Sequence, residues 1–506
     1  MSIKYGSMQP PPFKPYTLTK SERDLLQADR PGYGSRTKLE VAFNLVNATV
    51  GAGIIGLPFA IARAGFFTGI IASIVVAVLA QIGLYMLIVA GRRVGIYKFA
   101  NLVEYLLGRP GFYFVNFMIC VQAGGGTVSY FILLGDSLPM LFMRYLPQFP
   151  ILGDRTFVLI FVGIFCILPL NMSRSIGSLA RWSIISVLCL PIILLTILIR
   201  APAYTPQEPI ELEWVGSDVF GALGIMAFAF TCHQVAFNNF LTLQDQTTSN
   251  WKHTTIMSTG ISWIISISFA CIGYMCFGNN VQSNLFMNFA TDDPIINIGR
   301  FALSISMILT IPMGIFPTRE AVQKSLGFET DCKQPTKLQH YAVTVLVFTI
   351  VLSLGIAVRS LGTVYALVGG FSATTLANII PSCAYLCTRN AGYEKTMGSE
   401  TSSQDTCKPT SNIMFPSLTT TSTLTPDEND LKVPLLWETT SISSSSRLCF
   451  DDDVATVDGG DDLCAENDMN MDRSLRPHWF LDIAAGLLLI WGFSVMFFSI
   501  SATLKG

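Results

Sequence analysis

Stretches of about twenty apolar residues recur along most of this chain, the length a helix rising 1.5 Å per residue needs to cross ~30 Å of hydrocarbon. They fall at Val41 to Ala62, Phe66 to Ala90, Tyr113 to Phe142, Phe157 to Leu170, Trp182 to Ile199, Val219 to Phe240, Thr254 to Phe277, Ile295 to Pro317, Tyr341 to Val358, Gly362 to Leu386 and Trp479 to Leu504. The expected architecture is therefore an all-α polytopic membrane protein of about 11 transmembrane helices. Composition agrees: 13% of the 506 residues are charged, against about 25% in an average soluble domain, so a lipid bilayer is the solvent this chain suits. A formal charge of −2 gives no reason to expect a nucleic-acid partner, and no Cys/His cluster has zinc spacing. Cys120, Cys166, Cys189, Cys232 and Cys271 lie inside apolar runs, where a thiol acts as a small hydrophobe.

The polar, Pro-rich arm 1–38 lacks the short apolar stretch of a signal peptide, so insertion is expected to use the first membrane helix. Ten spans follow over 39–389. Residues 390–477, with tracts such as SISSSSR and DDDVATVDGGDD, read as a disordered cytoplasmic loop, either a plain solvated insertion or a phosphorylation-regulated segment. The last span occupies 478–506. Positive charge near the spans stays on the cytoplasmic side. Lys20, Arg23, Arg36, Lys38, Arg92, Arg93, Lys98, Arg109, Lys252, Arg319 and Lys324 all fall on the side of the N-terminus, whereas the opposite side holds few basic residues, among them Arg63, Arg144, Arg200 and Arg359. The N-terminus is therefore read as cytoplasmic. Phe99, Leu102, Val103, Leu106 and Leu107 recur at helical spacing and predict an interfacial amphipathic helix before the third span.

Two spans are internally weak. The first contains NATVGAGIIGLP, with Gly51, Gly53, Gly56 and Pro58 inside a segment that must otherwise satisfy its own backbone. Each interior Gly costs up to ~1 kcal/mol relative to Ala, and a freed peptide group in lipid costs several more, so an unwound stretch survives only beside a protein or water-filled cavity. Close packing through small residues is the plainer alternative. The sixth span, GALGIMAFAFTCHQ, adds Thr231, Cys232, His233 and Gln234 at membrane depth and looks interrupted as well. Breaks in spans one and six are the mark of a five-plus-five inverted repeat with one helix outside it. Counting rise along each helix, Thr49 lies ~12 Å from the inner end of its span, while His233 and Thr310 lie ~21 and ~22 Å from the outer ends of theirs, a shared level.

A helix restarting near Gly53 offers unpaired N–H groups and the positive end of its dipole to a carboxylate. Carbonyls freed near Asn47 and Ala48 suit an ammonium group or a bare cation. The Asn47 amide and Thr310 hydroxyl are hard oxygen donors of the kind sodium prefers, although a membrane-helix Thr also commonly bonds its own preceding turn. His233 either carries a proton or donates to a freed carbonyl and steadies the break.

These residues resemble the amino acid/auxin permease family, in particular its sodium-coupled neutral amino acid transporters and fungal vacuolar amino acid transporters. The likeness rests on NLVNATVGAGIIGLPFA from Asn44, AFAFTCHQ from Ala227, SYFILLGDSLP from Ser129, LPLNMSRSIGSL from Leu168, ILTIPMGIFPTRE from Ile308 and LVGGFSATTLANIIPSCAYL from Leu367. The resemblance implies a LeuT-like fold of five plus five inverted helices plus one, moving amino acids by alternating access without an enzymatic step or bound cofactor. Carried over by motif, Asn47, Ala48 and Thr310 match a sodium site; Thr49, Val50, Gly51, Ala52 and Gly53, with Phe230, Thr231, Cys232 and His233, match the substrate-facing breaks, and Tyr130 joins them from the third span. The implied partners are an amino acid, a coupling cation (Na+ or H+) and the lipid bilayer, in either a vacuole-like or the plasma membrane. A membrane amino acid sensor signalling through 390–477 is the alternative function.

Overall fold

The computed structural model describes residues 31–51, 53–172, 176–206, 210–329, 335–389 and 478–505. Among these, eight helices are long and apolar enough to cross a membrane, and the bent pair Lys38–Thr49 and Gly53–Ala64 makes a ninth. Two shorter apolar helices, Arg155–Asn171 and Leu188–Tyr204, stand where the fourth and fifth spans are expected. The chain is thus an all-α polytopic membrane protein. Most of 1–38 and all of 390–477 lie outside the described residues.

Helix ends follow local chemistry. Thr37 and Glu40 form a capping box that starts the first helix, Thr336 and Gln339 repeat it before the ninth span, and Asp293 caps the eighth. The amphipathic helix and the third span run as Phe99–Tyr145, divided at Gly108, whose φ of 69° is a conformation that favours glycine. Large apolar side chains such as Ile71, Val78, Phe165, Leu195, Ile490 and Phe497 remain exposed along the spans, the outward face that lipid requires.

The two weak spans both break. The first helix ends at Thr49 and restarts at Gly53 with a bend of 62°. The sixth runs Val219–Phe230, passes through an extended Thr231 and a short turn at His233–Val235, and resumes at Ala236–Thr242. The halves Gly53–Ala64 and Val219–Phe230 pack directly together, and a Cβ on Gly53 would lie 2.7 Å from the Ala229 Cα. Span three, Phe99–Tyr145, lies along span eight, Pro294–Ser325, which also contacts span five. Pairing of one with six and of three with eight is the pattern expected of a five-plus-five repeat.

Candidate functional site

Between the breaks and spans three, five and eight lies a cavity of about 1050 Å³. Asn47, Ala48, Thr49, Val50, Gly51 and Gly53 line it from span one, Tyr130 from span three, Thr231 from span six and Thr310 from span eight. The cavity continues past Asn44, Asn116 and Asn238 to Lys98, Glu104, Arg109, Glu320 and Lys324. Its charged mouth thus lies at the end of the bundle where the first helix begins. The mouth charges pair with each other, Arg109 with Glu104 at 3.1 Å and Lys324 with Glu320.

The opposite end is closed. Phe228 and Tyr365 stack with ring centroids 4.8 Å apart, and the Tyr130 hydroxyl sits 3.6 Å from where a Gly51 Cβ would be. Above them, Gly216 N–H donates to the Ala64 carbonyl at 2.8 Å and Asp218 N–H to Arg63 at 2.9 Å, while Trp214 stacks on Phe67 at 4.4 Å. Gly65 adopts φ 87°, and a Cβ there would meet the Gly216 nitrogen at 2.7 Å, so this close approach needs glycine. Farther out, buried Arg300 donates to the carbonyls of Phe286, Phe289 and Ala290 and to the Asn297 side chain, fixing the loop before span eight. Asp136 accepts from Asn284 at 3.1 Å and lies 3.8 Å from Arg155, which joins that loop to spans three and four.

Three sequence-predicted residues do not reach the cavity. Phe230, Cys232 and His233 are buried behind it. The extended backbone at Thr231 turns the next two side chains away: Cys232 enters an apolar cluster with Leu84, Leu87 and Phe237, and His233 Nε2 meets the Ala80 carbonyl of span two at 3.1 Å. That carbonyl belongs to an intact helix, so His233 fastens the break to span two. In their place Phe228, Gln234 and Val235 face the cavity. Ala52 lies outside the described residues.

The threonines all bond their own preceding turn: Thr49 to Leu45 at 2.7 Å, Thr231 to Ala227 at 2.6 Å and Thr310 to Ser306 at 2.7 Å. This leaves their oxygens lone pairs to offer, because a hydroxyl has one proton and two acceptor sites. Thr310 also lies 2.6 Å from Ser186 Oγ, and Ser306 2.9 Å from it. Ser306 could have been found from its i, i+4 spacing to Thr310; Ser186, on another span, has no sequence signal linking it to them. Among the described residues no group of three or more His, Cys, Asp or Glu could hold a metal. The Thr310, Ser186 and Ser306 hydroxyls are neutral oxygens, a set suited to a hard monovalent cation.

A bundle of apolar helices with two spans interrupted at one level around a cavity open at one end is the build of a membrane solute carrier. The transmembrane amino acid transporter family model matches residues 34–420, and this chain belongs to that family. A Danio rerio protein provisionally named sodium-coupled neutral amino acid transporter 11 is 32% identical over 72% of this chain and 83% of its own length. Vacuolar amino acid transporter 2 of Saccharomyces cerevisiae is 27% identical over 68% of this chain and 75% of its own. A solved Na+-coupled sialic acid symporter superposes with a TM-score of 0.44 at 14% identity, covering 72% of this chain and 81% of that one. The family is one of transporters, and the chain is an amino acid transporter rather than an enzyme.

Proposed function

We propose that this chain is a sodium-coupled symporter of neutral amino acids that releases its cargo toward the cytoplasm. The observation that carries the reading is the meeting of both helix breaks with Thr310 in one cavity. Peptide groups freed between Thr49 and Gly53 and around Thr231 would take the carboxylate and ammonium of the substrate. Phe228 and Tyr130 flank the place of its side chain and carry no charge, which favours a neutral one. Asn47, Ala48 and Thr310 would hold the sodium ion. The excess of Lys and Arg on the side of the N-terminus supports a cytoplasmic N-terminus, and with it a cytoplasmic mouth and a cytoplasmic 390–477 segment. Family membership favours transport over a sensing role.

Uptake into proteoliposomes under separately imposed sodium and pH gradients tests this. Accumulation should follow the sodium gradient, and Thr310→Ala should lower the sodium-driven part by about tenfold, the weight of one charge-assisted contact. Stoichiometric amino acid binding without accumulation, or full sodium dependence in Thr310→Ala, would defeat the proposal.

A further inference from the structure

The short contacts around Thr310 involve a span that carries neither helix break. Ser186 of span five places its Oγ 2.6 Å from Thr310 Oγ1, 2.9 Å from Ser306 Oγ and 3.3 Å from the Ser306 carbonyl, while Ser306 Oγ reaches the Ser186 carbonyl at 3.3 Å. All three side chains face the cavity. We propose that Ser186 adds its hydroxyl to the sodium site beside Thr310, joining span five to span eight through the ion; this rests on the sodium-coupled reading above.

Proton accounting supports the assignment. Thr310 donates its single proton to the Ser306 carbonyl, so in the contact with Ser186 it is the acceptor and Ser186 the donor. Ser186 having given its proton to Thr310, Ser306 is the donor in the remaining hydroxyl contact. The protons thus run one way, Ser306 to Ser186 to Thr310 and back to the Ser306 carbonyl. Bonds in such a chain polarise one another, which makes each oxygen a better donor of its remaining lone pair. Two hydroxyl oxygens, each within hydrogen-bond distance of Ser186 Oγ, join it in presenting lone pairs and no ionisable group to the cavity. A divalent ion would want carboxylates, and a proton would want a base that titrates near neutrality; neither is supplied by these three hydroxyls. A singly charged hard cation fits what is there.

The test is made on purified full-length protein, by binding of radiolabelled sodium and by the rise in melting temperature that sodium produces over choline. Ser186→Ala should raise the half-saturating sodium concentration about five- to tenfold, the loss of one hydrogen-bond-sized ligand, and Ser186→Thr should return it close to the wild-type value. A Ser186→Ala protein that melts lower in choline yet binds sodium like the wild type would make Ser186 a packing residue and overturn the assignment. If Thr310→Ala loses sodium binding while Ser186→Ala keeps it, only the role of Ser186 falls. If the wild-type protein itself shows neither sodium binding nor a sodium-dependent shift, the coupling reading falls and the assignment with it.

Discussion

Gly51 and Gly53 stand two residues apart in the first break but face different surroundings, so the same substitution should do different things. A Cβ on Gly53 would lie 2.7 Å from the Ala229 Cα and 2.9 Å from its Cβ. Neither atom can swing aside, because both belong to the helix of span six. Overpacking of this kind costs about 1–3 kcal/mol, and the ~1 kcal/mol that Ala gains over Gly inside a helix offsets little of it at the first residue of a helix. Gly53→Ala should therefore be less stable by about 1–2 kcal/mol. A Cβ on Gly51 meets only the Tyr130 hydroxyl, at an ordinary 3.6 Å. Gly51→Ala should keep wild-type stability but narrow the place of the substrate, raising KM several-fold with little change in the sodium requirement. Thermal unfolding in detergent and uptake in proteoliposomes separate the two. A Gly53→Ala protein as stable as the wild type, or a Gly51→Ala protein that is the less stable of the pair, would refute the packing of the two breaks described above.

Two further outcomes are expected. Asp293, in the loop before span eight, is buried, which raises its carboxyl pKa, but the hydrogen bond from Arg200 at 2.6 Å and those from Ile296 N–H and Tyr204 outweigh this and hold it below the ordinary value. The stabilisation is present above the ordinary carboxylate range and is lost only as pH falls through the lowered value, so melting at pH 5 and pH 7 should show the same deficit for Asp293→Asn, about 1–2 kcal/mol because the Arg200 side chain is one-third exposed; a deficit confined to pH 7 would contradict the pairing. At the end where the first helix begins, Ser35 and Arg36 N–H groups donate to the Thr242 carbonyl at 3.1 and 2.9 Å and Gln244 N–H to the Arg36 carbonyl at 2.9 Å, and a Cβ on Gly34 would sit 1.8 Å from the Leu243 oxygen. Gly34→Ala should loosen this tie and reduce maximal uptake severalfold while leaving equilibrium sodium binding unchanged, which parallel flux and binding measurements on that variant would check.

The spans were legible because hydrocarbon thickness sets their length and each needs an apolar surface, a requirement a single sequence displays. The breaks were legible for a related reason: Gly51, Gly53 and Pro58 in span one, and the polar run from Thr231 in span six, are costly in lipid unless a cavity receives them. What each residue does next to a break was less readable. Phe230, Cys232 and His233 look like pocket residues by position, yet one extended residue at Thr231 precedes a His233 ring that turns to span two, and sequence spacing does not encode that rotation. Gly83 shows the same limit from the other side: a Cβ there would lie 3.0 Å from His233 Nε2 and 2.0 Å from the Ala377 oxygen, contacts that no local pattern announces. Ser186 escaped notice because its meaning depends on a contact with a residue 124 positions away.

The neutrality of the site has an energetic consequence for the proposed coupling. A zwitterion adds no net charge, and the hydroxyls and peptide groups around Thr310 and Gly51 add none, so a loaded site carries the single positive charge of its sodium ion. Moving one charge across the full membrane potential is worth about 2.3 kcal/mol per 100 mV. The cytosol is the negative side both of a plasma membrane and of a vacuole with a positive lumen, so the potential drives loaded carriers toward the cytosol in either setting. Under the proposed coupling, direction therefore does not depend on which membrane holds the protein. The half-helices Lys38–Thr49 and Ala236–Thr242, tied together by the main-chain bonds between Ser35–Arg36 and Thr242–Gln244, are the elements that border the mouth. Closing the mouth requires them to move as one body or to give up those bonds, and because backbone pairs left unmet near lipid are costly, joint movement is the cheaper route.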